Sequence, residues 1–155
     1  MVIVRKNAFT LIESIAILLI IAIVAAVAVS SFSSPSLYNL RSRTETIKDH
    51  LRFAQNRAMN TSIVYGINFS GNSYFFFSGE NPQNPLLLPG QDETIVILPS
   101  GMTISPTGIV SFDSWGKPYT DAQANTPQVG IRTFTVTYGG DTEVITITAN
   151  TGFIP

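Results

Sequence analysis

Residues 9–29 read FTLIESIAILLIIAIVAAVAV, and Glu13 is the only formal charge among them. Ile15 to Val29 is an unbroken apolar run. As a helix the segment rises about 31 Å, enough for a hydrocarbon core near 30 Å. The stretch therefore predicts a membrane-spanning helix. Arg5 and Lys6 lie just before it, and the positive-inside bias would hold that end in the cytoplasm with the body outside. A cleaved secretory signal also fits the basic start, the apolar run and the small residues Ala26-Val27-Ala28. Glu13 sits badly in a signal. It sits as badly in a plain anchor, because a carboxylate in lipid is costly unless paired. A helix packed on copies of itself would give Glu13 a cation to meet.

Outward from this stretch the chain changes character near residue 60. It has 155 residues, 45% hydrophobic and 12% charged. Residues 1–60 carry seven of the nine basic residues, whereas residues 61–155 carry seven of the ten acids and every glycine. A glycine-free, helix-compatible arm is joined to a turn-rich, acidic body. There is no cysteine and one histidine, so disulfides, thiolate chemistry and a His-rich zinc site are excluded.

Lys6-Asn7-Ala8-Phe9-Thr10-Leu11-Ile12-Glu13-Ser14, running into the apolar stretch, resembles the class III leader of type IV pilins and type II secretion pseudopilins. The resemblance implies removal of residues 1–8 by a prepilin peptidase between Ala8 and Phe9, with N-methylation of Phe9. Ala8 stands where the family usually has glycine. Arg5 and Lys6 become the basic leader residues. Glu13 becomes the assembly glutamate that meets a neighbouring subunit's amino terminus. Phe53 to Met59, the segment 108–116 and Ile147 to Gly152 are similar to the minor H-type pseudopilin and FimT-like branch.

The resemblance implies a structural subunit of a pilus-like filament or pseudopilus, with a major pilin or a DNA-binding minor pilin of a competence system as alternatives. Implied partners are other pilin subunits through the amino-terminal helix, the prepilin peptidase, an inner-membrane assembly platform and the lipid bilayer before assembly. The implied location is the bacterial inner membrane, single-pass, and then the pseudopilus or the cell surface.

Ser30 to Ser36 with Pro35 reads as a boundary. Beyond it Leu37, Leu40, Thr44, Ile47, Leu51, Ala54 and Ala58 recur at helical spacing, one face of a helix. His50 reads as a solvated or boundary side chain. Arg52 and Arg57 read as part of a charged helix face at a filament interface before a nucleic-acid track. After Asn60 the period becomes two. Strands are expected at 63–69, 73–77, 94–98, 102–105, 108–112, 131–138 and 143–148, the last pair joined by Gly139-Gly140-Asp141. Residues 79–92 and most of 113–130 are expected as loop. The fold class is α+β, a long hydrophobic amino-terminal helix packed by its C-terminal half on a small antiparallel sheet. Its parts are 1–8 leader, 9–29 filament-core helix, 30–60 linker and arm, and 61–155 β domain.

No catalytic constellation emerges, and an enzyme is not expected. No metal or cofactor is expected either. Asp113 and Asp121 are weak candidates for calcium, and polar turn residues are the better account. Trp115 is expected to plug the end of the sheet, with sugar binding reopened by an exposed ring. DNA binding needs clustered positive charge, and a body with Lys117 and Arg132 as its two basic residues makes DNA an unlikely partner.

Overall fold

The computed structural model describes the backbone of residues 10–30 and 35–155 and the side chains of 10–25 and 36–155. The chain divides into two compact units, Met1–Ser34 and Pro35–Pro155. The leader positions Arg5, Lys6, Ala8 and Phe9 lie outside the described residues.

The first unit holds α1, Leu11–Ser30. Thr10 caps it, because its Oγ1 accepts from the backbone N–H of Glu13 at 3.3 Å. Thr10-x-x-Glu13 is the spacing of a capping box, and a carboxylate in the first turn complements the helix dipole. Glu13 thus has a local role at the helix start. Leu11, Ile12, Leu18, Ile20 and Val24 are all more than half exposed. Apolar surface on this scale calls for cover from another apolar body.

The second unit is built on α2, Pro35–Thr61. Proline is suited to a first helical position, since its missing N–H has no helical partner there and its φ is already set. The expected single long helix is therefore corrected: α1 ends at Ser30, α2 begins at Pro35, and the helix that packs on the sheets of the second unit is α2. The body is also not one small sheet. The first sheet runs β3-β2-β1-β6-β7, with β4 also on β2, from β1 Tyr65–Phe69, β2 Ser73–Ser78, β3 Asn81–Leu86, β4 Ile95–Ile97, β6 Gly108–Phe112 and β7 Pro118–Tyr119. The second runs β5-β8-β9, from β5 Thr103–Ser105, β8 Arg132–Tyr138 and β9 Asp141–Ile147. All pairings are antiparallel. Two segments expected as loop hold strands: β3 lies inside 79–92 and β7 inside 113–130.

The apolar stripe of α2 packs on β1 and β6 of one sheet and on β8 and β9 of the other. Leu40, Ile47, Leu51, Ala54 and Ala58 are buried there with Ile67, Phe69, Val110, Phe134, Val136 and Ile145. Alanines late in the stripe let the helix approach the sheet, and Phe53 meets Phe76 edge-on at 5.4 Å. β1 is buried on both faces. On the face away from α2, a Cβ at Gly66 would lie 2.4 Å from the Val110 carbonyl oxygen and 2.7 Å from the Phe77 ring. The bare backbone there lets Phe77 close over the sheet. Residues 113–130 cover the same side: Ser111 Oγ donates to the Asp121 carbonyl at 2.6 Å.

Arg132 ties the two sheets together. Its Nη1 donates to the Ile109 carbonyl at 2.5 Å and its guanidinium lies 4.8 Å from the centre of the Phe134 ring.

Leu51→Ala should lower stability by about 2–5 kcal/mol, the usual cost of a buried leucine. Thr44 is buried with its hydroxyl unpartnered, so Thr44→Val should leave stability unchanged or raise it. Urea unfolding of the two variants beside the parent protein measures both.

Candidate functional site

Three places in the second unit gather polar side chains, two of them centred on α2 residues. The first is His50. Ile47, His50, Leu51 and Ala54 fall at helical spacing on the buried stripe, so the ring turns inward and is 4% exposed. The solvated reading of His50 is corrected by this, and the i, i+3, i+4, i+7 spacing was the signal for it. The Pro89 carbonyl can only accept, so the ring nitrogen Nε2, 3.3 Å away, carries the proton. Nδ1 then accepts from the Tyr74 hydroxyl at 2.9 Å. Burial lowers the proton affinity of His50. The Pro89 bond and the charge of Asp49 act the other way without reversing it. Burial likewise pushes the Tyr74 phenol well above its ordinary value, against the opposing effect of Arg43.

Beside His50 lies an open groove of about 570 Å³ lined by Asp49, Arg52, Phe53, Asn56 and Pro89. Its charged groups are committed. Arg52 donates to Asp49 at 2.7 Å and to the Ile154 carbonyl at 3.2 and 3.3 Å. His50 has both nitrogens in use. The groove holds no nucleophile–base pair of the kind a catalytic site requires.

The second place is the loop around Asp113. Its Oδ1 accepts from the N–H groups of Trp115 and Lys117, each at 2.9 Å, and Oδ2 accepts from the Tyr119 hydroxyl at 3.0 Å. Burial, followed by the Asp113 carboxylate, raises the Tyr119 phenol. Asp121 closes the next turn, accepting from the N–H groups of Gln123, Asn125 and Thr126. Burial disfavours its charge, but these donors outweigh it and hold the carboxyl below its usual range. Both carboxylates bind their own loops. Among the described residues no group of three or more His, Cys, Asp or Glu could hold a metal ion.

The third place is Gln55, which the sequence did not single out. Its Nε2 donates to the Gly116 carbonyl at 2.9 Å and to the Thr151 carbonyl at 3.0 Å. One amide thereby fastens the 113–117 turn and the final turn to α2. Gly152 has φ +61°, and a Cβ there would sit 2.4 Å from the Gly116 carbonyl oxygen. The two turns are in backbone contact. At this junction Trp115 is 85% exposed, Phe153 61% and Met59 49%. The expectation that Trp115 plugs the sheet is corrected, because its turn is held from the backbone side and the ring points to solvent.

Of the other basic residues, Arg41 pairs with Glu143 at 3.0 Å, Lys48 with Glu45 at 2.8 Å, and Arg57 lies over the Tyr65 ring at 5.8 Å.

No family model, no curated protein and no solved structure matches the sequence. Among the described residues no helix is long and apolar enough to cross a membrane. The resemblance to pilins and pseudopilins is corrected on these findings. With it go the filament-subunit function, its major-pilin and competence alternatives, and the inner-membrane and pilus location. The motif behind it is short.

Two measurements test the site. The folded value of His50 lies below its ordinary value of 6.5, so the unfolded chain takes up the proton first. The neutral ring's contribution is complete above about pH 6.5 and is lost as pH falls toward the folded value. Unfolding free energy should therefore drop as pH falls through and below the ordinary value of 6.5, and His50→Leu should flatten that slope. Separately, Gln55→Ala should free the Trp115 turn. Fluorescence anisotropy of the chain's single tryptophan should fall, with little change in the unfolding midpoint.

Proposed function

We propose that the Pro35–Pro155 unit is a non-catalytic interaction module that docks a protein partner at the end carrying Trp115, Phe153 and Met59. The exposure of Trp115 carries this reading. A tryptophan left 85% in solvent forgoes the burial that makes the side chain valuable inside a fold. This one also sits on a turn held by six hydrogen bonds from Asp113, Lys117, Gly116, Tyr119 and Gln55. A rigid, pre-placed aromatic anchor loses little entropy on binding, and tryptophan is enriched among interface residues that dominate affinity. Neighbouring Phe153 and Met59 add exposed apolar surface, which suits a protein side chain over a polar sugar edge. The commitment of His50, Asp113 and Asp121 to structural hydrogen bonds supports the non-catalytic part. The pairing of Arg41, Lys48 and Arg52 with acidic side chains weighs against a phosphate-binding track.

A photo-activatable residue at Lys117, introduced in the native cells, should yield one discrete protein adduct. Trp115→Ala and Phe153→Ser should each abolish it while leaving the unfolding midpoint unchanged. Absence of a protein adduct, together with Trp115-dependent retardation in polysaccharide gels, would replace the protein partner with a glycan.

A further inference from the structure

The three-stranded sheet ends on a free edge. β8 and β9 are joined by Gly139-Gly140, so Tyr138 and Asp141 close a two-residue hairpin as a hydrogen-bonded pair. From that pair the alternation runs regularly to Arg132 and Ile147. Asp141, Glu143, Ile145 and Ile147 spend their backbone groups on β8, while Thr142, Val144 and Thr146 aim theirs outward. The next outward group, the N–H of Thr148, donates to the Phe153 carbonyl at 3.1 Å. The chain's own last turn thus caps the edge after Ile147. Among the described residues the three outward positions before it have no backbone partner across the edge.

Other edges of the unit are blunted. β3 carries Pro82 and Pro85, β7 has two residues, and β4 and β5 have three each. β9 has seven residues, no proline and no bulge. A long regular edge of this kind is a template for a further strand.

We infer that β9 is an assembly edge whose occupant is a second copy of this chain, paired antiparallel about a twofold axis at Val144. The strand is complementary to itself in that register. Val144 meets Val144 of the second copy, Thr142 meets Thr146, Glu143 meets Ile145 and Asp141 meets Ile147. A parallel in-register partner would set both acids against their own kind, whereas the antiparallel one sets each against isoleucine. The two Glu143 side chains become diagonal neighbours, about 7–8 Å apart. Each is already neutralised by Arg41 of its own α2 at 3.0 Å. Outside, the pairing continues a face of β-branched residues, since Thr133, Thr135 and Thr137 of β8 stand beside Thr146, Val144 and Thr142. The product is one continuous sheet of six strands with β9 at its centre, an isologous contact of the kind that closes a dimer.

The chain has no cysteine, which makes the test direct. The full chain carrying Val144→Cys, dispersed in mild detergent, is treated with a short bifunctional maleimide beside a chain carrying Asn84→Cys on β3. The expected result is a covalent dimer from the first and monomer from the second. Light scattering adds a second measure. Val144→Lys places two cations on the axis, and Val144→Pro removes a donor that β8 does not use. Both should shift the parent dimer to monomer with the far-ultraviolet circular dichroism unchanged. Arg41→Ala should weaken the dimer by leaving two carboxylates facing each other. Equal capture at both cysteine positions, a monomeric parent chain, or a Val144→Lys chain with the parent's mass would each overturn the pairing.

Discussion

The apolar stripe of α2 is the surface on which the whole second unit depends. A sheet must bury one face, and two separate sheets normally do so against each other or each against its own helix. Here a single 27-residue helix serves both, meeting β1 and β6 along one flank and β8 and β9 along the other. Leu40, Ile47, Leu51, Ala54 and Ala58 form that stripe, and all five are buried in the core. Remove the stripe and neither sheet has a floor. Arg132, reaching from β8 to the Ile109 carbonyl of β6, bridges the two sheets.

Around that floor the polar side chains are spent on position. His50, Gln55 and Arg52 all leave the same helix, and each bonds a loop: His50 the Pro89 carbonyl, Gln55 the turns at Gly116 and Thr151, and Arg52 the tail at Ile154. Loops held in this way place what they carry with little motion, which is why an exposed tryptophan on one of them invites a functional reading. The carboxylates follow the same economy. Asp113 and Asp121 were weak calcium candidates in sequence, with polar turn residues the better account, because acidic residues in a glycine-containing loop are common to cation sites and to turns. Their oxygens accept the N–H groups of the residues just after them, the short-range bonding that aspartate forms most readily.

Much of the body was legible because it is periodic. The 3.6-residue stripe from Leu37 to Ala58 and the alternation of 63–69, 73–77 and 131–138 depend on local geometry alone, and the elements fall there. The Gly139-Gly140 hairpin was legible for the same reason, since a two-residue turn needs positive φ that glycine supplies freely. β3 was not legible: Asn81-Pro82-Gln83-Asn84-Pro85 has the composition of a loop, and only its pairing at the edge of β2 makes it a strand. The amino-terminal motif was over-read. It spans few residues, and its threonine is also a residue type that caps helices, as Thr10 does here through the Glu13 N–H.

The sequence by itself determined the arm helix, the order and hand-off of the main strands, and the absence of thiol chemistry. It also set the contrast between a helical arm and an acidic, glycine-rich body. Only the tertiary structure decided that His50 is inside and Trp115 outside, that one helix floors two sheets, and that the β9 edge is left open until Thr148. The reason is the range of the forces involved. Periodicity is written in neighbours three or four residues apart. The burial of one side chain is set by whichever distant segments lie over it: Tyr74 and Pro89 over His50, nothing over Trp115.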